Sequence, residues 1–201
     1  MKIKSLMIAN PITITLESTI REAIELMKAN GIRHLPVVSE RNTLEGFVTL
    51  SDLKQGLIPS MVADVNLSDL MIKDPITVNP DDHIEVAAKL IYEHKIGGMP
   101  VVSGAKVVGI ITESDILRAF VDMMGILTSS SRVDVVIRDE PGAFKKALHI
   151  IHDHGGDIIN VGITTQHTQN RTYYFRLSPC NTGVIKEALE SEGFEVPEAM
   201  D

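Results

Sequence analysis

The sequence predicts an α+β protein: two β-α-β-β-α units related by a pseudo-twofold axis, followed by a domain with the order β-α-β-β-α-β. Three observations predict this fold. A long segment recurs at an offset of 64 residues, apolar spacing changes from helical to strand-like in the same order in both copies, and the repeat does not return beyond residue 127. Composition alone leaves the domain count open, because 201 residues that are 44% hydrophobic can bury one large core or two small ones.

The repeat is visible residue by residue. The matching segments are "LMIANPITI" at 6–14 with "LMIKDPITV" at 70–78, and "IRHLPVVS" at 32–39 with "IGGMPVVS" at 96–103. Over 6–39 against 70–103, 14 of 34 positions are identical. One deletion then changes the offset to 63 and aligns Gly46, Thr49, Ser51 and Asp52 with Gly109, Thr112, Ser114 and Asp115. Residues 1–122 are therefore a duplication, and we expect one domain over 1–62 and a second over 63–126.

Each copy is predicted to carry the same order of elements. A short apolar strand follows a proline, and a helix over 18–31 has Ser18 as its expected N-cap and Gly31 as its end. Two β-branched segments joined by a polar turn predict a pair of strands, and a second helix opens at Ser51-Asp52 or Ser114-Asp115. One unit of about 55 residues is marginal alone, so we expect the two units to bury a common sheet surface.

A linker and an unrelated domain follow the repeat. "TSSS" at 128–131 predicts the linker, and the domain is expected over 132–201. Its predicted elements are strand "RVDVVI", helix "PGAFKKALHIIHDHG", strands "DIINVGITT" and "RTYYFRLS", helix "TGVIKEALESEG" and a short final strand "FEV". The order β-α-β-β-α-β is typical of a ferredoxin-like fold.

Charge and cysteine content exclude several classes of partner. A formal net charge of −8 argues against a sequence-independent grip on nucleic acid or anionic lipid. The single cysteine, Cys180, excludes an intramolecular disulfide and suits a reducing compartment. The sequence has no run of about 18 apolar residues, so we expect a soluble, cytoplasmic protein with neither nucleic acid nor membrane as partner.

The repeated Thr and Asp, three residues apart where a strand passes into a helix, have two interpretations. An aspartate can accept hydrogen bonds from a vicinal diol such as a ribose, and a nearby hydroxyl can donate and accept. The alternative is a helix N-cap formed by the Ser or the Asp, both of which are preferred at that position. Duplication alone does not decide between them, because a cap would be copied with the rest of the unit.

The wider pattern resembles a known family. The motifs "NPITI…IRHLPVV…GFVTLSDL" and "DPITV…IGGMPVV…GIITESDI" resemble a tandem pair of cystathionine-β-synthase (CBS) domains over about 1–122. This resemblance implies that adenosine compounds (AMP, ADP, ATP, S-adenosylmethionine or NAD) bind as regulatory ligands in two clefts between the units. The implied contacts are Asp52 and Asp115 to the ribose, Thr49 and Thr112 with their neighbours Ser51 and Ser114 as hydroxyl contacts, and Ile12-Thr13 and Ile76-Thr77 to the base.

The two copies differ where the resemblance places phosphate. The first carries Arg33-His34 before "LPVV", and the second carries Gly97-Gly98 at the same place. We therefore expect one cleft to hold phosphate through Arg33 and His34 and the other to lack charge, with Lys54 and Arg118 able to supplement either. The alternative role for Arg33 and His34 is a solvated cationic helix end, which the helix dipole favours.

"RDEPGAF" at 138–144 and "HGGDIINV" at 154–161 resemble an ACT domain, a regulatory amino-acid-binding module, over about 132–197. The resemblance places a weak amino-acid site at Asp139, Gly142 and Asp157. Two carboxylates there would favour the ligand's ammonium group but repel its carboxylate, so dimerisation without a ligand is the alternative. We expect no metal site.

The order CBS-CBS-ACT resembles the acetoin-utilisation AcuB group. No catalytic motif is present, so we expect a regulatory sensor rather than an enzyme, acting as a homodimer on an unidentified protein, in bacterial acetoin or central carbon metabolism. Two alternatives remain open: a dimerisation adaptor with empty clefts, and an enzyme of unrecognised chemistry.

Overall fold

Two β-hairpins of the same design form the centre of the first structural unit, Met1–Leu117. The computed structural model describes residues 1–56, 66–127, 130–163 and 170–201. One hairpin joins β2 to β3 and the other joins β4 to β5. In each hairpin the pairing register shifts between two successive valines of the first strand. Their bounds are β2 His34–Val38, β3 Leu44–Thr49, β4 Gly98–Ser103 and β5 Lys106–Thr112. The equivalent irregularities, at Val37/Val38 and Val101/Val102, confirm the duplication at the level of the backbone.

Helices flank the hairpins in the predicted order. Their bounds are α1 Ile20–Asn30, α2 Leu50–Gly56, α3 Leu67–Leu70, α4 Ile84–His94 and α5 Glu113–Met123, with a short 3₁₀ turn at Ile3–Ser5. The interdomain boundary predicted at 62/63 lies outside the described residues. No helix in the described part of the chain has the length and apolar character needed to cross a bilayer.

The N-cap of α1 is Thr19, so the prediction of Ser18 was wrong by one residue. The Thr19 side chain accepts a hydrogen bond from the Glu22 N–H, and the Glu22 carboxylate accepts one from the Thr19 N–H. This reciprocal capping box requires the acid three residues after the cap, which Ser18 does not have. Gly31 ends the helix as predicted, with φ of 63°.

The first copy buries the apolar face of α1 on its hairpin. Ala23, Met27 and Leu35 are fully buried in one cluster, as is Leu67, which comes from the beginning of the second copy. The contribution of Leu67 shows that the first copy does not complete its core from its own sequence. Two units that share core residues in this way fold together more readily than either alone.

The N-terminal segments of the two copies are exchanged. Strand β1, Ile8–Ala9, pairs antiparallel with β5 of the second copy, with Ile8 opposite Ile110. In the other direction Ile72 of the second copy bridges Phe47 of the first, through backbone hydrogen bonds of 2.8 and 3.1 Å. Each hairpin is therefore extended by a segment of the other copy.

The strand predicted after each proline is reduced to a single bridge. Ile14 pairs in parallel with Val37, and Val78 with Val101. The residues that form a true ladder in the first copy, Ile8–Ala9, lie before the proline instead. A proline donates no backbone hydrogen bond, so extended pairing on its two sides is interrupted.

The second structural unit, Arg118–Asp201, begins within α5 and then has the predicted order β-α-β-β-α-β from Ser131 onward. Its elements are β6 Ser131–Arg138, α6 Ala143–Asp153, β7 Ile158–Ile163, β8 Asn170–Leu177, α7 Thr182–Ser191 and β9 Glu195–Met200. The sheet order is β7-β8-β6-β9, with every neighbouring pair antiparallel. Both helices pack on one sheet face, where Phe175 and Ile151 are fully buried.

The linker predicted over 128–131 includes one residue, Ser131, that belongs to the following strand. Residues 128–129 lie outside the described residues. Ser131 is already part of β6, where its hydroxyl donates to the Cys180 carbonyl at 3.1 Å and accepts from the Cys180 N–H at 2.9 Å. These bonds join the beginning of the domain to the loop before α7.

Candidate functional site

The first unit contains two clefts at equivalent positions between the copies. The larger has a volume of about 600 Å³ and the smaller about 280 Å³. Ligand pockets for small molecules commonly measure about 300–1,000 Å³. The larger cleft lies within that range, and the smaller lies just below its lower end.

Each cleft combines the Thr–Asp pair of one copy with the post-proline segment of the other. The larger cleft is lined by Thr49, Ser51, Asp52, Pro75, Ile76, Gly97 and Gly98, together with Arg33, His34, Phe47, Leu50, Lys54, Ile72, Asp74, Lys95, Ile96 and Glu113. The smaller cleft is lined by Thr112, Ser114, Asp115, Pro11 and Ile12, together with Ile8, Gly31, Ile32, Arg33, His34 and Ile110. The exchange of N-terminal segments produces this combination, because it carries each post-proline segment to the other copy's helix start.

Helices α2 and α5 begin at Leu50 and Glu113, so the N-cap positions are held by Thr49 and Thr112 and not by the Ser or Asp that the N-cap interpretation named. In the larger cleft the Thr49 N–H and hydroxyl both donate to Asp52 Oδ2, at 3.0 and 2.7 Å, and the Asp52 N–H donates to the Thr49 hydroxyl at 3.3 Å. In the smaller cleft the Thr112 N–H and hydroxyl donate to Asp115 Oδ2, at 2.8 and 2.6 Å. Both carboxylates are thereby held at a helix start by the backbone N–H and the hydroxyl of the threonine three residues before them.

Capping leaves one carboxylate oxygen for another partner. In both pairs the bonds reach Oδ2, and no described residue donates to Oδ1 of Asp52 or Asp115. Because the threonine hydroxyl gives its proton to the aspartate, it offers an incoming ligand only its lone pairs. The arrangement presents a rigid carboxylate acceptor to each cleft, which suits a ligand that brings hydroxyl donors.

Arg33 and His34 line both clefts, so the prediction that they would belong to one cleft alone was wrong. The prediction that the cleft of Gly97 and Gly98 lacks charge was also wrong, since Lys54 and Lys95 line it as well. The reason lies in the pseudo-twofold axis: the beginnings of β2 and β4 meet there, where the His34 ring lies against Gly97, and the side chains of Arg33 and His34 reach both clefts.

His34 is held in a defined position. Its ring stacks on Phe47, with centroids 5.8 Å apart and planes inclined by 13°. A Cβ added to Gly97 would lie 3.0 Å from His34 Nε2, so the ring also packs against the Gly97 backbone. Burial and the neighbouring Arg33 guanidinium lower the pKa of His34, against smaller opposing effects of Glu113 and Asp52. The neutral imidazole is therefore favoured.

Several residues proposed from the sequence do not reach the clefts. Thr13 and Thr77 line neither cleft, although the neighbouring Ile12 and Ile76 do. Arg118 is highly exposed, lines neither cleft, and forms an ion pair with Asp122 at 3.9 Å one helical turn away.

Other lining residues were missed from the sequence. Lys95, Glu113 and Asp74 add charge to the larger cleft, and Phe47 adds an aromatic ring. Lys95 replaces the helix-ending glycine of the first copy and adopts a left-handed conformation, with φ of 56°. That departure from the repeat was a sequence signal that could have identified Lys95.

The residues proposed for the second unit are dispersed. Asp139 forms an ion pair of 3.5 Å with Arg171 near the beginning of β8, whereas Asp157 accepts a hydrogen bond of 3.0 Å from Ser178 just after the end of β8. Seven residues of strand separate these points by about 23 Å. Gly142 is the N-cap of α6, with φ of 88°. Within one chain, Asp139 and Asp157 do not form a common site.

The family to which the chain belongs is shown by comparison with known proteins. The model of the CBS domain matches residues 3–58 and 67–122, more than half of the chain, and the chain belongs to the CBS domain family. Among curated relatives, a homoserine O-acetyltransferase of Methanocorpusculum labreanum is 41% identical over 114 residues. The matched segment is 56% of this chain and the match spans 23% of that relative's length.

Solved structures share the fold of the duplicated part. The CBS domain pair of protein MJ0100, in complex with 5′-methylthioadenosine and S-adenosyl-L-methionine, is 30% identical, with a TM-score of 0.56 over 60% of this chain and 95% of that one. A structure described as an acetoin utilization protein (AcuB) from Vibrio cholerae is 32% identical, with a TM-score of 0.57 over 63% and 94%. CBSX2 in complex with AMP is 26% identical, with a TM-score of 0.54 over 60% and 96%.

Proposed function

We propose that this protein is a regulatory sensor that binds an adenosine-containing nucleotide in the clefts of its CBS pair. One observation carries the proposal: in both clefts a threonine N–H and hydroxyl hold an aspartate through Oδ2, and no described residue donates to Oδ1. The ribose of an adenosine compound supplies hydroxyl donors for that oxygen. The apolar side chains opposite, Ile76 in the larger cleft and Ile12 in the smaller, provide faces for a base.

The known ligands of similar structures support this ligand class. One similar CBS pair was solved with 5′-methylthioadenosine and S-adenosyl-L-methionine, and another with AMP. We extend the class to this chain as AMP, ADP, ATP, S-adenosylmethionine or NAD. The similarity to a structure described as AcuB supports a role in acetoin or central carbon metabolism.

We propose that the second unit is an ACT domain over 132–201 that relays the occupancy of the CBS domains, at 1–62 and 63–126, to another protein. Its element order and its β7-β8-β6-β9 sheet, typical of a ferredoxin-like fold, support this assignment. We also propose a homodimer. Leu117, Phe120 and Met123 are 64%, 42% and 51% exposed along one side of α5, and exposed apolar groups of this kind are common at protein interfaces.

A thermal-shift titration of the full chain with AMP, ADP, ATP, S-adenosylmethionine and NAD tests the proposal. A ligand at about 100 times its Kd adds roughly 2.7 kcal/mol to the free energy of unfolding. Asp52→Ala and Asp115→Ala each remove one cleft's acceptor and one cap, so Glu22→Ala is the matched control that removes only a cap. We expect the aspartate variants to lose part or all of the ligand-induced shift and the control to retain it.

Two other outcomes of this titration would contradict the proposal. If none of these compounds changes the melting temperature of the wild type, the clefts do not bind adenosine ligands and the chain acts as a dimerisation adaptor. If a compound binds equally well to wild type, Asp52→Ala and Asp115→Ala, the ligand site lies elsewhere.

A further inference from the structure

The two clefts have a wall in common, and its side chains come from one copy only. Arg33 and His34 line both clefts, whereas their counterparts in the other copy, Gly97 and Gly98, line only the larger. The smaller cleft therefore depends for this part of its surface on residues that the larger cleft also uses.

The asymmetry has a packing reason. Gly97 has no side chain at the point where the His34 ring approaches its backbone, and a Cβ on Gly98 would lie 3.0 Å from both the Ile111 carbonyl and Thr112 Cγ2. The space near the pseudo-twofold axis thus holds the side chains of one copy and excludes those of the other. Arg33 therefore lines both clefts, and no arginine of the second copy occupies the equivalent position.

The clefts also differ in the other charges that line them. Along the smaller cleft, Arg33 is the single cation among the described lining residues, with Asp115 as the anion. The larger cleft adds two lysines, Lys54 and Lys95. Arg33 is exposed, so its guanidinium is free to turn toward either cleft, but one guanidinium cannot pair fully with phosphates in both.

We propose that Arg33 couples the two clefts: an anionic nucleotide in the larger cleft engages Arg33 and thereby weakens binding of an anionic nucleotide in the smaller cleft. The inference rests on the proposed function, since it requires adenosine ligands in both clefts. An uncharged adenosine compound in the larger cleft leaves Arg33 available and produces no such effect. Coupling is reciprocal, so occupancy of the smaller cleft weakens binding in the larger by the same factor.

Calorimetric titration of the full chain with AMP and, separately, with adenosine tests the coupling. For AMP we expect two binding steps in the wild type, and a single step in Asp52→Ala, in which the larger cleft lacks its acceptor. The affinity of that single step should exceed the weak step of the wild type by about fivefold or more, the lower end of typical coupling. With adenosine, the affinity of the single step in Asp52→Ala should equal that of the weaker step in the wild type.

Two further variants assign the effect to Arg33. Adding Arg33→Gln to both wild type and Asp52→Ala should abolish the AMP-dependent difference, whereas Lys54→Ala, which changes a cation of the larger cleft alone, should preserve it. Equal AMP affinities of the smaller cleft with and without Asp52→Ala would overturn the coupling while leaving the sensor function intact. Absence of binding by both AMP and adenosine to the wild type would overturn the sensor function and the coupling with it.

Discussion

Replacing Gly46 with alanine tests the exchange of N-terminal segments that forms the two clefts. A Cβ at position 46 would lie 2.5 Å from Met71 Sδ and 3.1 Å from the Ile72 carbonyl oxygen. The sulfur can move, but that carbonyl accepts the hydrogen bond from the Phe47 N–H that joins the copies. Crowding of this kind lowers the free energy of unfolding by about 1–3 kcal/mol. Alanine also reduces the conformational entropy of the unfolded chain, which offsets about 0.4–1 kcal/mol of that loss.

The net expectation for Gly46→Ala is a loss of about 1–2 kcal/mol, which lowers Tm by roughly 2–8 °C in a chain of this length. Differential scanning calorimetry measures the change, with Gly162→Ala as the control. At Gly162, also in a strand, the nearest atom to an added Cβ is Tyr174 Cβ at 3.7 Å, an ordinary contact. That variant should match the wild type or exceed it slightly.

The repeat provides a second check of the same reasoning. A Cβ added to Gly109 would lie 2.5 Å from Met7 Sδ and 3.2 Å from the Ile8 carbonyl oxygen, so Gly109→Ala should cost a similar free energy. The cost of Gly46→Ala should fall in a Met71→Ala background, because the shortened side chain relieves part of the crowding. Equal melting temperatures for Gly46→Ala and Gly162→Ala would refute the close approach between the copies.

Two further predictions concern charged groups. Because the pKa of His34 is lowered from its ordinary value of 6.5, the unfolded chain binds a proton that the folded chain does not, so stability falls as the pH drops from 6.5 through the lowered pKa. Urea unfolding at pH 8 and pH 5 should show a smaller acid-induced loss for His34→Gln, and equal losses would contradict this. Asp134, whose side chain is 6% exposed, accepts bonds of 2.7 and 2.6 Å from Arg132, so Asp134→Asn should cost about 1.5–3 kcal/mol. Asp122→Asn, at an exposed ion pair, should change the free energy of unfolding by about 0.5 kcal/mol or less. An equal effect of Asp134→Asn and Asp122→Asn would contradict the stabilising role of the buried pair.

Capping and ligand binding are compatible roles for the same aspartate. The cap uses Oδ2 and fixes the orientation of the carboxylate, whereas a ligand needs Oδ1. A carboxylate already held by two local donors loses less freedom when it binds a ligand than a mobile one does. The threonine bonds thus hold Asp52 and Asp115 in a fixed orientation, which lowers the entropic cost of the ligand binding proposed for them.

The sequence by itself determined the duplication, the order of the helices and hairpins in the first unit and the order of elements in the second. These features are local: periodicity, glycine at a helix end and an acid three residues after a cap act over a few residues. The one-residue error at Ser18 was local too, and the acid at Glu22 was the sign that could have corrected it.

Only the tertiary structure decided how the clefts are composed. Which copy supplies each wall depends on the pairing of Ile8 with Ile110 and of Ile72 with Phe47, partners that are distant in sequence. The sharing of Arg33 between the clefts follows from the same pairing, because it places the beginning of β2 beside the pseudo-twofold axis. Long-range strand pairing is set by the burial of both copies together, and a comparison of each copy with the other contains no information about it.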